Sequence, residues 1–125
     1  MNHSSVENIK RSQKESFLLK EISKMIHQLS LDEPKLAGLT INRVQLSRDK
    51  SVCNVFFYDP EGIEAFKEKK QYLILYKPSL KKSIASAMHS RYVPDIRFIF
   101  DIKFEKQQKI ESIIDKVKKE FKEDE

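Results

Sequence analysis

The segment KPSLKKSIASAMHSRYVPDIRFIFD, residues 77–101, decides the fold. Pro78 has no N–H to donate and suits the first turn of a helix rather than its interior. Behind it Leu80, Ile84, Ala87, Met88 and Arg91 recur in steps of three and four, which makes one helical face. Val93-Pro94 stops that helix, because the residue before a proline is pushed out of the helical region. Ile96, Phe98 and Phe100 then alternate, the period of a strand buried on one side. A proline-bracketed helix that runs straight into a strand implies an α+β domain.

Working outward, Ile63, Phe66, Leu73 and Ile74 predict a helix over about 63–75, preceded by the strand breaker Asp59-Pro60-Glu61-Gly62. Cys53, Val55 and Phe57 share one face of a strand over 52–58. Leu39 and Ile41 alternate on one parity and Val44 and Leu46 on the other, so a bulge near Asn42–Arg43 is expected. Ser47-Arg48-Asp49-Lys50 is the turn joining the two strands as a hairpin. Leu18, Ile22, Met25, Ile26 and Leu29 predict a first helix over 12–29, ended by Asp32-Glu33-Pro34. Ile110, Ile113, Ile114, Val117 and Phe121 predict a C-terminal helix. The order is α-β-β-α-kink-α-β with a C-terminal helix, and the three strands are expected as one sheet covered on one face by helices. Its domain spans 12–119, after a flexible polar segment at 1–11 and before an acidic tail at 120–125.

Charge is uneven. Between Lys67 and Arg97 eight basic residues face two acidic ones, a surplus of six in a chain whose net charge is +5. Concentrated positive charge points to a polyanionic partner. With two glycines there is no glycine-rich phosphate loop, and a single cysteine fits a reducing compartment. No apolar run reaches the roughly 18 residues of a membrane span. The N-terminus lacks the apolar stretch of a secretory signal, so the cytoplasm is the expected location.

Two segments, LTINRVQLSRDKSVCNVFFY (39–58) and SIASAMHSRYVPDIRFIFD (83–101), carry a family likeness. Together with the two kinked helices before the last strand, they resemble the prokaryotic type II KH domain and, more closely, the ribosome-binding factor A family. That family's threonine-valine strand, Ser-x-Asp turn, Ala-x-Val-Tyr-like strand and Arg-x-x-Pro-Glu-Leu-x-Phe run appear here as Thr40–Val44, Ser47–Asp49, Cys53–Phe56 and Arg91–Phe98. Its Asp-Pro-Arg-Leu motif appears as Asp32–Leu36 with one residue inserted. The likeness covers about residues 11–115. It implies a non-catalytic, monomeric KH-like factor that binds the immature small ribosomal subunit and assists maturation of its rRNA. A cofactor, a small-molecule substrate and a membrane have no part in that expectation.

One departure stands at the kink. Where the family usually carries Ala-x-Gly, this chain has Tyr76-Lys77-Pro78. Proline enforces a break but supplies neither the amide N–H nor the close backbone approach of glycine. Contact through side-chain charge is therefore expected instead of a KH-style backbone clamp.

The residues expected to touch RNA are, first, Lys77, Lys81 and Lys82 at the kink, where few acids stand nearby in sequence. Arg43, Arg48 and Lys50 on the hairpin follow, with Lys10, Arg11 and Lys14 at the start of the first helix. Two roles are open to Arg91: capping helix carbonyls or pairing with Asp95 or Asp101, and RNA contact. Tyr92 is expected as a packed aromatic, Phe17 as core or edge, and Cys53 as a buried apolar residue. His3, His27 and His89 do not complete the three or four convergent ligands that zinc needs, so no metal site is expected. Asp59, Glu61 and Glu64 would be the ligands of a small metal-dependent nuclease, but acids also suit a helix N-terminus. A protein-interaction module using the sheet edge or the acidic tail is the other class left open.

Overall fold

The computed structural model describes the backbone of residues 3–88 and 92–123, with the side chains of 6–88 and 92–122. Helix α1 (His3–Asp32) leads through a single 3-10 turn at Pro34–Leu36 into strand β1 (Thr40–Leu46). Strand β2 (Val52–Tyr58), helix α2 (Ile63–Leu75), helix α3 (Lys77–Met88), strand β3 (Asp95–Phe100) and helix α4 (Ile102–Glu123) follow.

The strands form one sheet in the order β1-β2-β3. β1 and β2 are antiparallel, and the register slips between Ile41 and Arg43, the bulge that the change of parity predicts. β3 lies parallel to β2, pairing Val55 with Phe98 and Phe57 with Phe100. A parallel neighbour requires a crossover, and α2 with α3 supply it.

One face of this mixed sheet carries the core. Val44, Leu46, Cys53, Val55, Phe57, Ile96, Phe98 and Phe100 meet Leu18, Ile22 and Ile26 of α1, Phe66 and Leu73 of α2, and Leu80 and Ile84 of α3. Phe57 is its centre, with ring centroids 5.9 Å from Phe66 and 5.6 Å edge-on from Phe98. Burying a side chain of this size is worth roughly 1.5–3 kcal/mol.

Several sequence expectations are corrected. α1 begins at His3, nine residues before the expected start at residue 12. None of residues 6–11 is buried, so periodicity could not report them. Ile63 and Ile74 are 37% and 48% exposed, and Ala87 is exposed, although the helical spacing groups all three with the core. Phe17 lies at the surface of α1, 37% exposed. Tyr92 is 81% exposed rather than packed. In α4 the apolar series Ile110, Ile113, Ile114, Val117 and Phe121 is exposed throughout. What fixes α4 lies in its first turn: Asp101 caps it, accepting from the Phe104 N–H at 3.1 Å, and Phe104 packs edge-on against Tyr58.

Gly38, at the turn into β1, has φ +92°, and a Cβ there would meet the Lys69 ammonium at 3.4 Å. Both the left-handed backbone and the close approach favour glycine.

Candidate nucleic-acid interface

Sequence places the largest surplus of positive charge around the kink, and the structure divides these residues by what they touch. α2 ends at Leu75, with Tyr76 at its C-cap (φ −91°, ψ −1°) and its N–H bonded back to the Leu73 carbonyl at 3.0 Å. α3 starts at Lys77, so Pro78 falls in the first turn, where its missing N–H costs no helical bond. Leu80 N–H donates to the Tyr76 carbonyl at 2.9 Å and closes that turn.

Lys81 and Lys77 both reach Asp95 at the start of β3, with Nζ–Oδ1 distances of 3.0 and 3.7 Å. The hydrogen bond from Lys81 holds the Asp95 carboxyl below its ordinary range, and the two lysine charges reinforce it. This corrects the expectation that acids are scarce at the kink. One carboxylate serves two lysines, however, and Lys82 is exposed with no ion pair among the described residues. The ridge Lys77–Lys81–Lys82 therefore retains two net positive charges.

Three further basic residues have partners within the fold. Lys69 binds Asp59 at 2.6 Å and the Ala37 carbonyl at 2.7 Å. Lys67 pairs with Glu64 on the surface at 3.5 Å. Arg43 donates to Asp101 at 3.3 Å and stacks its guanidinium 4.0 Å from the centre of the Phe56 ring, so its charge is used within the sheet. Arg91 and His89 lie outside the described residues.

A second cationic region forms where α1 passes the hairpin turn. Arg11, Arg48 and Lys50 line one groove of about 440 Å³, together with Glu7, Asn8 and Asp49. Lys14 and Lys50 line an adjoining groove of about 470 Å³, walled by Leu18, Met88, Tyr92 and Pro94. Lys10 is exposed on the same helix. Arg11 also donates to Asn8 at 2.8 Å, which holds it along α1. Four of the sequence candidates, Arg11, Lys14, Arg48 and Lys50, thus come from segments more than thirty residues apart into one corner.

The turn that presents Arg48 and Lys50 is rigid. Asp49 accepts from the Ser47 hydroxyl at 2.8 Å, the Ser51 hydroxyl at 2.7 Å and the Ser51 N–H at 3.1 Å. These bonds, the Ser51 hydroxyl first, draw its carboxyl down to about 2. Lys50 has φ +62°, a left-handed conformation that the turn imposes on a non-glycine residue. The Asp95 N–H donates to the Ser51 carbonyl at 2.8 Å, so the kink ridge and the hairpin corner adjoin at this bond.

The residues imagined as nuclease ligands are committed elsewhere. Asp59 is 1% exposed, accepts from the Glu61 N–H at 2.9 Å as well as from Lys69, and cannot turn outward to a metal. Among the described residues no cluster of three His, Cys, Asp or Glu could hold an ion. Cys53 is buried, and burial pushes its thiol up to about 12. A neutral thiol is a poor nucleophile. Sequence reasoning overlooked Asp95 as the ridge's counter-ion, although Asp95 falls in the quoted segment fourteen residues beyond Lys81.

Residues 10–114 match a family model described as ribosome-binding factor A. Among curated proteins of that name, the one from Mycoplasmopsis pulmonis is 31% identical over 115 residues, covering 92% of this chain and 99% of its own length. That from Shewanella sp. (strain MR-4) is 30% identical over 95 residues, 74% of this chain. The chain spans less than two thirds, 64%, of that relative's length. The crystal structure of ribosome-binding factor A from Thermus thermophilus superposes with a TM-score of 0.61 at 24% identity, covering 72% of this chain and 93% of the other. The α+β, KH-like expectation for the fold is thereby met.

Proposed function

Because the chain belongs to the ribosome-binding factor A family, we propose that it is a non-catalytic assembly factor that binds the immature small ribosomal subunit. It assists maturation of the subunit's rRNA in the cytoplasm. The match over residues 10–114 carries this reading, and it falls almost wholly within 12–119, the proposed binding domain. The segments 1–11 and 120–125 flank that domain. Among the described residues no helix is long and apolar enough to cross a membrane.

The docking surface is the kink ridge together with the hairpin corner. Lys82, Arg48, Lys50, Lys10 and Lys14 bring charge that no acid pairs among the described residues, Arg11 lies beside them on α1, and Lys77 and Lys81 contribute the excess left over Asp95. Arg43 contributes mainly by holding the sheet, and Arg91 remains a contact candidate beside Tyr92. Such residues bind phosphates, which sets position and affinity rather than base choice. The rigid Ser47–Ser51 turn supports this reading, because cations held in place lose little freedom on binding. To assist maturation the protein must favour one rRNA conformation over another, since equal affinity for both shifts nothing.

Co-sedimentation with immature and finished small subunits tests the reading. Preference for immature particles is expected, with a log–log salt slope of about −0.7 to −0.9 per neutralised phosphate. Equal binding to both particles would remove the assembly role, and a flat salt response would remove the electrostatic docking.

A further inference from the structure

We propose that the groove at the far end of α3 from the kink holds one unstacked base of single-stranded rRNA, a reading that rests on the ribosomal function above. The groove has about 470 Å³, within the roughly 300–1,000 Å³ of small-ligand sites. Its floor is apolar and buried: Leu18 of α1, Leu46 of β1 and Pro94 ahead of β3. Met88, the last residue of α3, and Val93 line it as half-buried walls. A flexible thioether adapts to the flat face of any base. Tyr92 also lines the groove and is 81% exposed, so its ring offers a stacking face at the mouth.

Charge at the rim selects the occupant. Lys14, exposed on α1, and Lys50 in the hairpin turn both line the groove, and no acid pairs with either among the described residues. An apolar slot ringed by cations fits a ligand in which flat, apolar groups alternate with anions, and RNA alternates base with phosphate in this way. Lys50 also lines the groove of Arg11 and Arg48. A strand whose phosphates follow those two cations therefore reaches Lys50 and can turn a base inward. Asp49 is the one acid of the apolar groove among the described residues. Its three serine bonds all end on Oδ1, which leaves Oδ2 to accept from a base N–H.

The slot adds what the cationic corner lacks. Phosphate contacts set position and affinity. A base already paired in a duplex must be unstacked, at a cost, before it can enter. The groove therefore favours strands that have not yet paired, which gives the differential affinity that assisting maturation requires.

Anisotropy titrations of the full chain test it, with a short labelled oligoribonucleotide compared against an abasic strand of the same length. The intact strand should bind about tenfold tighter than the abasic one, the scale of one stacked base. Both should share one salt slope, because their phosphates are the same. Tyr92→Ala should erase most of the difference while leaving the slope and the thermal melt unchanged. Lys14→Gln with Lys50→Gln should instead flatten the slope for both strands. Equal affinity for intact and abasic strands overturns the proposal, as does a Tyr92→Ala, Met88→Ser chain that still prefers the intact strand. If Tyr92→Ala weakens subunit binding but not single-strand binding, the groove holds a protein segment and the proposal falls. Each of these failures leaves the ribosomal reading standing so long as immature subunits still co-sediment with the parent chain.

Discussion

Lys69 of α2 places its ammonium 2.6 Å from Asp59, at the end of β2, with the lysine side chain 15% and the aspartate 1% exposed. The same ammonium bonds the Ala37 carbonyl at 2.7 Å, so one cation ties together the second strand, the second helix and the turn before the first strand. Removing one partner of a buried pair leaves the other charge desolvated and unpaired. Asp59→Ala should therefore cost about 3 kcal/mol in urea unfolding. Asp59→Ala combined with Lys69→Met should recover most of that loss. If the single variant melts like the parent, the pair is dispensable.

Asp95 is the acid that tempers the kink ridge. Its replacement by Asn frees Lys77 and Lys81 from their shared counter-ion while keeping the side chain's shape. Subunit affinity at low salt should rise two- to threefold, on the order of what one exposed charge contributes, with a steeper salt slope. Lys82→Glu should lower it by a similar factor without changing unfolding. Unaltered affinity in both variants would mean that RNA is held elsewhere.

The hairpin turn has its own pH response. Asp49 titrates near 2 in the folded chain against 3.8 ordinarily, because Ser51 and Ser47 bond its charged form. A group whose folded value is depressed adds stability that is fully present above the ordinary value and is lost as pH falls toward the folded one. Between about pH 4 and 2 the turn should loosen, seen as Ser51 amide broadening in NMR spectra. Ser51→Ala should move the Asp49 midpoint upward. A midpoint already near 3.8 in the parent would dismiss the turn as a rigid support.

Cys53 offers the opposite sign. Burial raises its thiol from 9.0 to about 12, so the folded chain keeps that proton where the unfolded chain loses it. Its stabilising contribution is present below pH 9 and is lost as pH climbs toward 12. At neutral pH iodoacetamide should label the native protein at least a hundredfold more slowly than the urea-unfolded one. Comparable labelling rates would contradict the burial of the β2 inner face.

What the sequence could disclose depended on whether its signals were local. Strand alternation, the bulge and the break at Pro78 are written in neighbouring residues, and each emerged where periodicity or backbone chemistry put it. The start of α1 escaped because residues 3–11 form helix without an apolar face. Periodicity also marks amphipathic helices without saying what covers them, which is why the α4 series announced a helix but not that its apolar stripe is bare. Among candidate RNA contacts, Lys77, Lys81 and Arg43 looked free because their acids, Asp95 and Asp101, lie 14 to 58 residues away in sequence. Arg48 and Lys50 looked minor, since only folding brings Arg11 and Lys14 beside them.

The parallel pairing of β2 with β3 also constrains how the chain is made. Val52 must wait for Asp95, its opposite number in the ladder, until both crossover helices have been synthesised and bent back at Pro78. Until then the hairpin carries a bare flank of main-chain donors and acceptors beside Val55 and Phe57, an invitation to join other unfinished chains. Closure over so wide a sequence gap is slow compared with hairpin formation. A nascent chain stalled before Ile96 would accordingly be sticky, and release from that hazard coincides with arrival of the last strand.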